Sequence, residues 1–538
     1  MLARSLIFSA AKISLATFSV VAASGYVSAH SAADGNSVGG AVSVEAAGKS
    51  SSEGEVAAKV ALAEQSLRPN VRRLSMETPS RWTIAERMEY HGVPGVSIAL
   101  IQDHKVVWAK GYGVRRAGGK DEVDTQTVFS VGSLSKVGAA TAALRLVNNG
   151  TFDLDRSVNE TLKGWKVPSN EFGDGSGVNL RRLLSHTAGL SVHGFADFKP
   201  GEKLPSTVDI LNGAGAAKNS AVELIYTPGT SSAYSGGGTT VVQLAVEEAM
   251  ASSFDDAVSQ LVFDPLGMER SSYENPLPAE HGNIAYAHDQ KGRLTAKPRG
   301  WHAFPEAGAS GLWTTPTDYA KMLIALAGSY HGKTEFLDQG LARQALTPVG
   351  GSPHGIGPRI RGTGEARRFA HTGANESYRA VFEYYVETGN GLIIFTNGEG
   401  GGALWSEIFN GFADAFDFPG HDGTVEIVIP QPAKAMSAFE GRFRAPEELT
   451  QSAQRALFSL PRAYRFTQKD GQLLMARDRL SDGGIVRSET SPLVPIAPGL
   501  FSSTGGGIEL EFVSTNPKAG VNTVLFKRNG GVVTLSRR

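Results

Sequence analysis

The chain contains no cysteine. Disulfides, thiolate metal sites and a cysteine nucleophile are excluded together, and an oxidising compartment presents no stray-thiol hazard. Charge of a prevailing sign is also missing: 52 Lys and Arg stand against 53 Asp and Glu, for a formal net charge of −1. That balance leaves no electrostatic footprint for nucleic acid or an anionic membrane surface, so neither is expected as a partner. Beyond residue 29 no run approaches the roughly 18 apolar residues that a membrane span needs. There is no H-E-x-x-H, and the 12 histidines are dispersed, so no metal or other cofactor is expected. The one G-x-S-x-G match, Gly35-Asn36-Ser37-Val38-Gly39, lies among Ala, Gly and Ser with no strand–turn–helix around it, which argues against an α/β-hydrolase. What is plentiful is glycine, 64 residues, pointing to turns and close backbone approaches rather than a helical bundle.

A length of 538 residues predicts two folded units plus extensions. Residues 1–29 read as a signal peptide, with Arg4, an apolar stretch from about Ile13 to Ala23, and the small-residue site Val27-Ser28-Ala29. Export to a periplasm or secretion follows. Residues 30–77 read as a flexible linker that buries little. Residues 78–430 form the expected main unit. It opens with an amphipathic helix ending before Gly92 and two strands, 95–101 and 105–111. It closes with a buried strand in 391–401 and a helix over 404–416. Strands at both ends and helices between predict an α+β sheet whose N- and C-terminal strands are neighbours, with a mostly helical insertion. Residues 431–538 carry short strand-like runs and read as an all-β module.

Between the second strand and the insertion lies "FSVGSLSKVGAATAALRLVNNG", residues 129–150. Ala140, Leu144 and Val147 fall at i, i+4 and i+7, and Gly150 sits where a helix-ending glycine belongs. Ser133 is then near a helix N-terminus, with Lys136 one turn on along the same face. A lysine desolvated there would lose its proton readily and could act as a base toward Ser133. A serine cap beside a solvated lysine fits this stretch as well. The same spacing recurs at Ser9 and Lys12, inside the expected signal peptide.

Further motifs follow in order: "RRLLSHTAGL" (181–190), "YTPGTSSAYSGGG" (226–238), "DPLGMERSSY" (264–273), "AGASGLWTTPTDYAKM" (307–322), "FAHTGANESYRA" (369–380) and Thr396-Asn397-Gly398. With "FSVGSLSK" this series resembles the serine β-lactamase and penicillin-binding-protein superfamily over about residues 78–425. The class C β-lactamase-like branch, with its D-aminopeptidases and esterases, is the nearest likeness, and residues 431–538 resemble the barrel-like appendage of some members. The resemblance implies a β-lactamase/transpeptidase-like fold, an antiparallel sheet flanked by helices. It implies Ser133 as the acylated nucleophile, Lys136 as its proton partner and Tyr234 as a proton relay. His371-Thr372-Gly373 takes the place of a Lys-Thr-Gly strand motif, and the oxyanion donors are the backbone N–H groups of Ser133 and Ala374. Ser235, Gly236, Thr372, Gly373 and Arg379 are the expected substrate contacts.

Two positions depart from the pattern. An asparagine whose amide meets the substrate's own amide is usual where Gly236 stands, so a widened site is expected. A lysine is usual where His371 stands; a histidine of ordinary pKa is mostly neutral at pH 7, so a substrate carboxylate should be held less firmly unless Arg379 reaches the pocket. The implied activity is hydrolysis of a carboxylic ester or a D-amino-acid-containing amide. A β-lactamase or D-Ala-D-Ala carboxypeptidase is the alternative, and an acyl-trapping sensor the non-enzymatic one. A small molecule or peptide is the expected partner, cell-wall material included. Among other residues, His186 is expected to make core or loop hydrogen bonds, Thr317 to cap the helix containing Asp318, and Glu306 to be a surface carboxylate. Trp313 either lines the pocket or packs.

Overall fold

The computed structural model describes residues 53–69, 71–73, 81–421, 424–426, 428–429, 431–446, 463–481, 484–487, 490–503, 508–515, 520–528 and 531–537. The expected signal peptide and residues 30–52 of the expected linker lie outside these. The principal helices are α1 (Glu53–Glu64), α2 (Ile84–His91), α3 (Ser135–Asn148), α4 (Gly236–Met250), α5 (Pro316–Tyr330) and α6 (Gly401–Ala415). The main sheet is built from β1 (Gly95–Gln102), β2 (Lys105–Gly113), β3 (Arg359–Arg361), β4 (Arg368–Asn375), β5 (Tyr378–Tyr385) and β6 (Gly391–Thr396).

These six strands run in the order β2-β1-β6-β5-β4-β3, every neighbouring pair antiparallel. The expected pairing of the terminal strands is present: Val96 of β1 faces Thr396 of β6, and Ile101 faces Gly391. Unbroken apolar runs such as "GLIIFT" suit strands covered on both faces. Alternation then divides them. Leu392 and Ile394 enter a core shared with α1, α2 and α6, while Ile393 and Phe395 enter the larger core shared with α3, α4 and α5. Helix α2 is bounded as its residues dictate, by a Thr83–Glu86 capping box and by Gly92 at φ 62°.

The expected linker is not featureless. Residues 53–64 form α1, whose Val56, Val60 and Ala63 are buried in the α6 core, with Leu67 just beyond. Arg68 then makes a two-pronged pair with Asp414 of α6 at 2.5 and 2.6 Å. Alanine and valine at helical spacing bury a stripe that composition alone does not distinguish from a linker. Helix α5 is capped by Thr315, which accepts from the Asp318 N–H, and not by Thr317.

After residue 431 the chain closes an eight-stranded antiparallel β-barrel, the first and last strands of the series joined between Ala463–Lys469 and Gln472–Ser481; Gly484–Arg487 pairs outside the ring. Phe443, Phe466, Phe501, Phe512 and Phe526 fill its interior. No described helix is long and apolar enough to cross a membrane.

Candidate active site

Ser133 sits in a single tight turn, Gly132–Leu134, directly before α3. The turn is fastened on several sides. Ser135 Oγ donates to Gly132 O at 2.5 Å and accepts from Leu312 N at 2.9 Å, while Tyr319 Oη donates to Leu134 O at 3.0 Å. Gly132 has φ 53°, and a Cβ there would lie 2.7 Å from Ala374 N. Gly373 fits against the same turn, where a Cβ would fall 1.9 Å from Val131 O. Only residues without side chains let β4 lie this close to the serine. The β3 partner of β4 ends opposite Ala370, so the segment from His371 to Asn375 presents its edge to Ser133. Asn375 secures that edge by donating to Ser130 Oγ and Ser310 O, each at 2.8 Å.

Lys136 is 3% exposed, and its Nζ lies 3.3 Å from Ser133 Oγ and 2.7 Å from Ala309 O. Burial lowers its pKa from 10.5 to about 7, because the charged form loses its hydration. The same Nζ stands 4.9 Å above the Tyr234 ring. Tyr234 Oη is buried and closes no hydrogen bond of ordinary geometry. Burial raises its pKa, with the Ser133 hydroxyl and Arg359 pulling the other way, so it is a neutral phenol at pH 7.

Four histidines surround that tyrosine. Ring centroids lie 4.3 Å away for His186, 5.1 Å for His193, 6.0 Å for His354 and 6.1 Å for His371. His371 Nδ1 donates to Thr372 O at 2.8 Å, which leaves Nε2 as a buried lone pair without a partner. Burial and the nearby charges hold His371 well below the usual histidine pKa and His354 at about 3. These rings are neutral. The His186 ring bonds out of its turn: at φ 60° its Nδ1 accepts from Ser235 N, 49 positions on, at 3.2 Å, and the ring lies against Tyr234. Among the described residues no group of histidines and carboxylates could hold a metal ion.

A cavity of about 630 Å³ joins Ser133, Lys136, Tyr234, His371, Thr372, Gly373, Ala374 and Arg379 of the expected set. Ser235 and Gly236 are not on its wall. Ser235 Oγ instead accepts from Gly238 N at the start of α4 and donates to Ser191 O at 2.7 Å. Nor is the site widened at Gly236, because the space a side chain would take is filled: a Cβ there would meet Phe195 Cε2 at 2.9 Å. Arg379 reaches the cavity, and its Nη1 donates to both Asn375 O and Tyr378 O, at 2.7 Å each. Trp313 is 1% exposed and packs against Trp301 and Tyr378.

Several residues on the site carry no motif. Arg359, on β3, lines the cavity and donates to His354 Nε2 at 3.1 Å; it brings a fixed positive charge from the neighbouring strand to the neighbourhood of His371. His193 and Phe195 arrive from a loop far away in sequence, as does Trp405 of α6. Glu306 is 1% exposed, not on the surface, and burial raises its carboxyl pKa to about 7. It heads the wide turn Ala307–Gly311 that carries the carbonyl binding Lys136.

A serine at the mouth of a helix, a desolvated lysine beside it, a tyrosine over that lysine and a strand edge closing on the serine define the site of the serine β-lactamases and penicillin-binding proteins. The Beta-lactamase family model matches residues 81–407, and the chain belongs to that family. Penicillin-binding protein 4 of Amycolatopsis lactamdurans is 30% identical over 265 residues, covering 48% of this chain and 63% of the relative. Protein flp of Staphylococcus aureus (strain COL) is 24% identical over 228 residues, 42% of each. The chain thus spans between two-fifths and two-thirds of these relatives' lengths. The octameric penicillin-binding protein homologue from Pyrococcus abyssi shares the fold at 20% identity and a TM-score of 0.54, over 84% of this chain and 98% of that one. SurE with D-Leu does so at 20% identity and 0.51, over 85% and 97%.

Proposed function

We propose that the chain is a serine hydrolase that passes through a Ser133 acyl-enzyme, with a carboxylic ester or a D-amino-acid-containing amide as substrate. The observation that carries this reading is Lys136 Nζ at 3.3 Å from Ser133 Oγ, buried enough that its pKa falls to about 7. About half of such lysines are free bases at neutral pH, where a base is most effective. Export, expected from residues 1–29, belongs to this proposal too.

In the first step neutral Lys136 accepts the Ser133 proton as Oγ bonds to the carbonyl carbon. The charge moves to the carbonyl oxygen, which the Ser133 and Ala374 N–H groups receive. The carbonyl then re-forms and the bond to the leaving group breaks. Tyr234, as a phenol, gives that group its proton and takes one from the Lys136 ammonium. Water repeats the sequence on the acyl-enzyme, releasing the acid and restoring Ser133. His371, neutral, offers a lone pair rather than a charge.

A second reading, β-lactamase or D-Ala-D-Ala carboxypeptidase, draws support from Arg359. A guanidinium in the cavity supplies the permanent positive charge that His371 does not, and could hold a substrate carboxylate.

The test is a panel of short-chain esters, D-aminoacyl amides, D-Ala-D-Ala peptides and nitrocefin, run against wild type and Ser133→Ala across pH. Esters or D-aminoacyl amides should be consumed by wild type alone. Below about pH 7 the base is protonated, so kcat/KM should fall about tenfold per pH unit there. Above it the rate should stay level, since Tyr234 ionises far higher. A profile flat from about pH 5.5 to about 8.5 would contradict Lys136 as the base. Nitrocefin turnover exceeding that of the esters and abolished by Arg359→Ala would put the second reading first.

A further inference from the structure

Three glycines, Gly236, Gly237 and Gly238, open α4 immediately after Tyr234 and Ser235. The loop 191–197 lies flush against them. Ser235 Oγ donates to Ser191 O at 2.7 Å, Gly237 N to Val192 O at 3.0 Å and Gly236 N to His193 O at 3.2 Å. A Cβ on Gly237 would lie 2.8 Å from Ser191 O, and one on Gly236 would lie 2.9 Å from Phe195 Cε2 and 3.2 Å from His193 O. Backbone atoms occupy two of these positions, so a side chain could not be admitted without moving the loop. Val192 holds φ 63°, a conformation that a β-branched residue adopts at a cost and keeps only where its surroundings enforce it. The glycines and the strained valine serve one arrangement: the loop crosses the start of α4 and sets Phe195 into the cavity wall beside Ser133, Tyr234 and Phe304.

We infer that Phe195 is a specificity-determining residue, its ring standing where the family's asparagine would recognise an amide, so that the site selects acyl groups with a hydrocarbon portion next to the carbonyl and rejects those with an acylamino group there. This rests on the acyl-enzyme reading and names its substrate class. A polar N–H and C=O brought against the Phe195 ring would lose water and gain no hydrogen bond there, whereas a hydrocarbon chain gains contact. A single apolar contact of this kind changes rates by roughly 10–200-fold.

The experiment compares p-nitrophenyl acetate, butyrate and phenylacetate with the p-nitrophenyl ester of N-acetylglycine, on wild type, Phe195→Ala, Phe195→Leu and Gly236→Ala. Wild type should prefer butyrate and phenylacetate to the N-acetylglycine ester by about tenfold or more in kcat/KM. Phe195→Ala should shrink that ratio to within about threefold, chiefly by lowering kcat/KM for butyrate and phenylacetate, and Phe195→Leu should keep the preference. Gly236→Ala, which must push the ring aside, should behave as Phe195→Ala does. Acetate turnover with an unchanged ratio in Phe195→Ala overturns the inference and leaves the acyl-enzyme reading standing. Absence of turnover on every ester, together with no labelling of Ser133 by a fluorophosphonate, overturns both.

Discussion

Alanine at position 132 should lower kcat/KM by about 10²–10³-fold while leaving the protein folded. Gly132 holds φ 53°, and its added Cβ would meet Ala374 at three backbone atoms: N at 2.7 Å, C at 2.8 Å and O at 3.0 Å. Neither side can yield cheaply. Ala374 is paired with Arg379 in the sheet, and Asn375 is tied to Ser130 and Ser310; the turn itself is held by Ser135 and Tyr319. The methyl therefore separates the Ser133 and Ala374 N–H groups, which the proposed mechanism needs on one oxygen. The loss of one such donor accounts for the expected factor. Acylation by a fluorophosphonate should slow in step with ester turnover, and circular dichroism should report an unchanged fold. Activity within about threefold of wild type would remove the two-donor oxyanion site from the account.

Lys136→Met should abolish turnover, by roughly 10²–10⁴-fold or more, and at the same time make the protein more stable at neutral pH. The sign follows from proton binding. The unfolded lysine holds its proton up to about 10.5 and the folded one only up to about 7. Between those values the unfolded state binds more protons, so the wild-type penalty is present in full below pH 7, shrinks as pH rises, and vanishes above about pH 10.5. A methionine of similar length carries no such penalty, although it forgoes the bond to Ala309 O. Its thermal midpoint should exceed wild type by a few degrees at pH 6 to pH 7 and converge with it near pH 10. A variant less stable than wild type at neutral pH would mean that Lys136 is held as a charged, well-solvated ammonium, and the base assignment would fail.

The parts of the site that were legible are local. Ser133 and Lys136 share one helical turn, Tyr234 precedes a glycine-rich helix start, and His371-Thr372-Gly373 occupies one strand, so each is marked by a few adjacent residues. The sheet was legible for a related reason: runs such as "GLIIFT" need cover on both faces. The errors around the cavity are non-local. Gly236 suggested empty space, but the loop 191–197, about 40 positions away, fills it. Arg359 and His354 sit in "SPHGIGPRIR", a stretch with no pattern of its own, and reach Tyr234 only because β3 lies beside β4. Glu306 carries a charge-bearing side chain into a buried place, contrary to the usual disposition of carboxylates. Helix α1 escaped notice because alanine, valine and scattered charge look alike in a linker and in a helix with a narrow buried stripe.

The central claim is a covalent one, that Ser133 carries the acyl group. Its most direct measurement is the intact mass of wild type and Ser133→Ala after brief exposure to a fluorophosphonate and, separately, to a short-chain p-nitrophenyl ester, followed by peptide mapping. One adduct per wild-type chain, mapped to Ser133, with continued release of p-nitrophenol beyond one equivalent and neither signal from Ser133→Ala, is the predicted result. An adduct elsewhere, or equal turnover by both proteins, would contradict it.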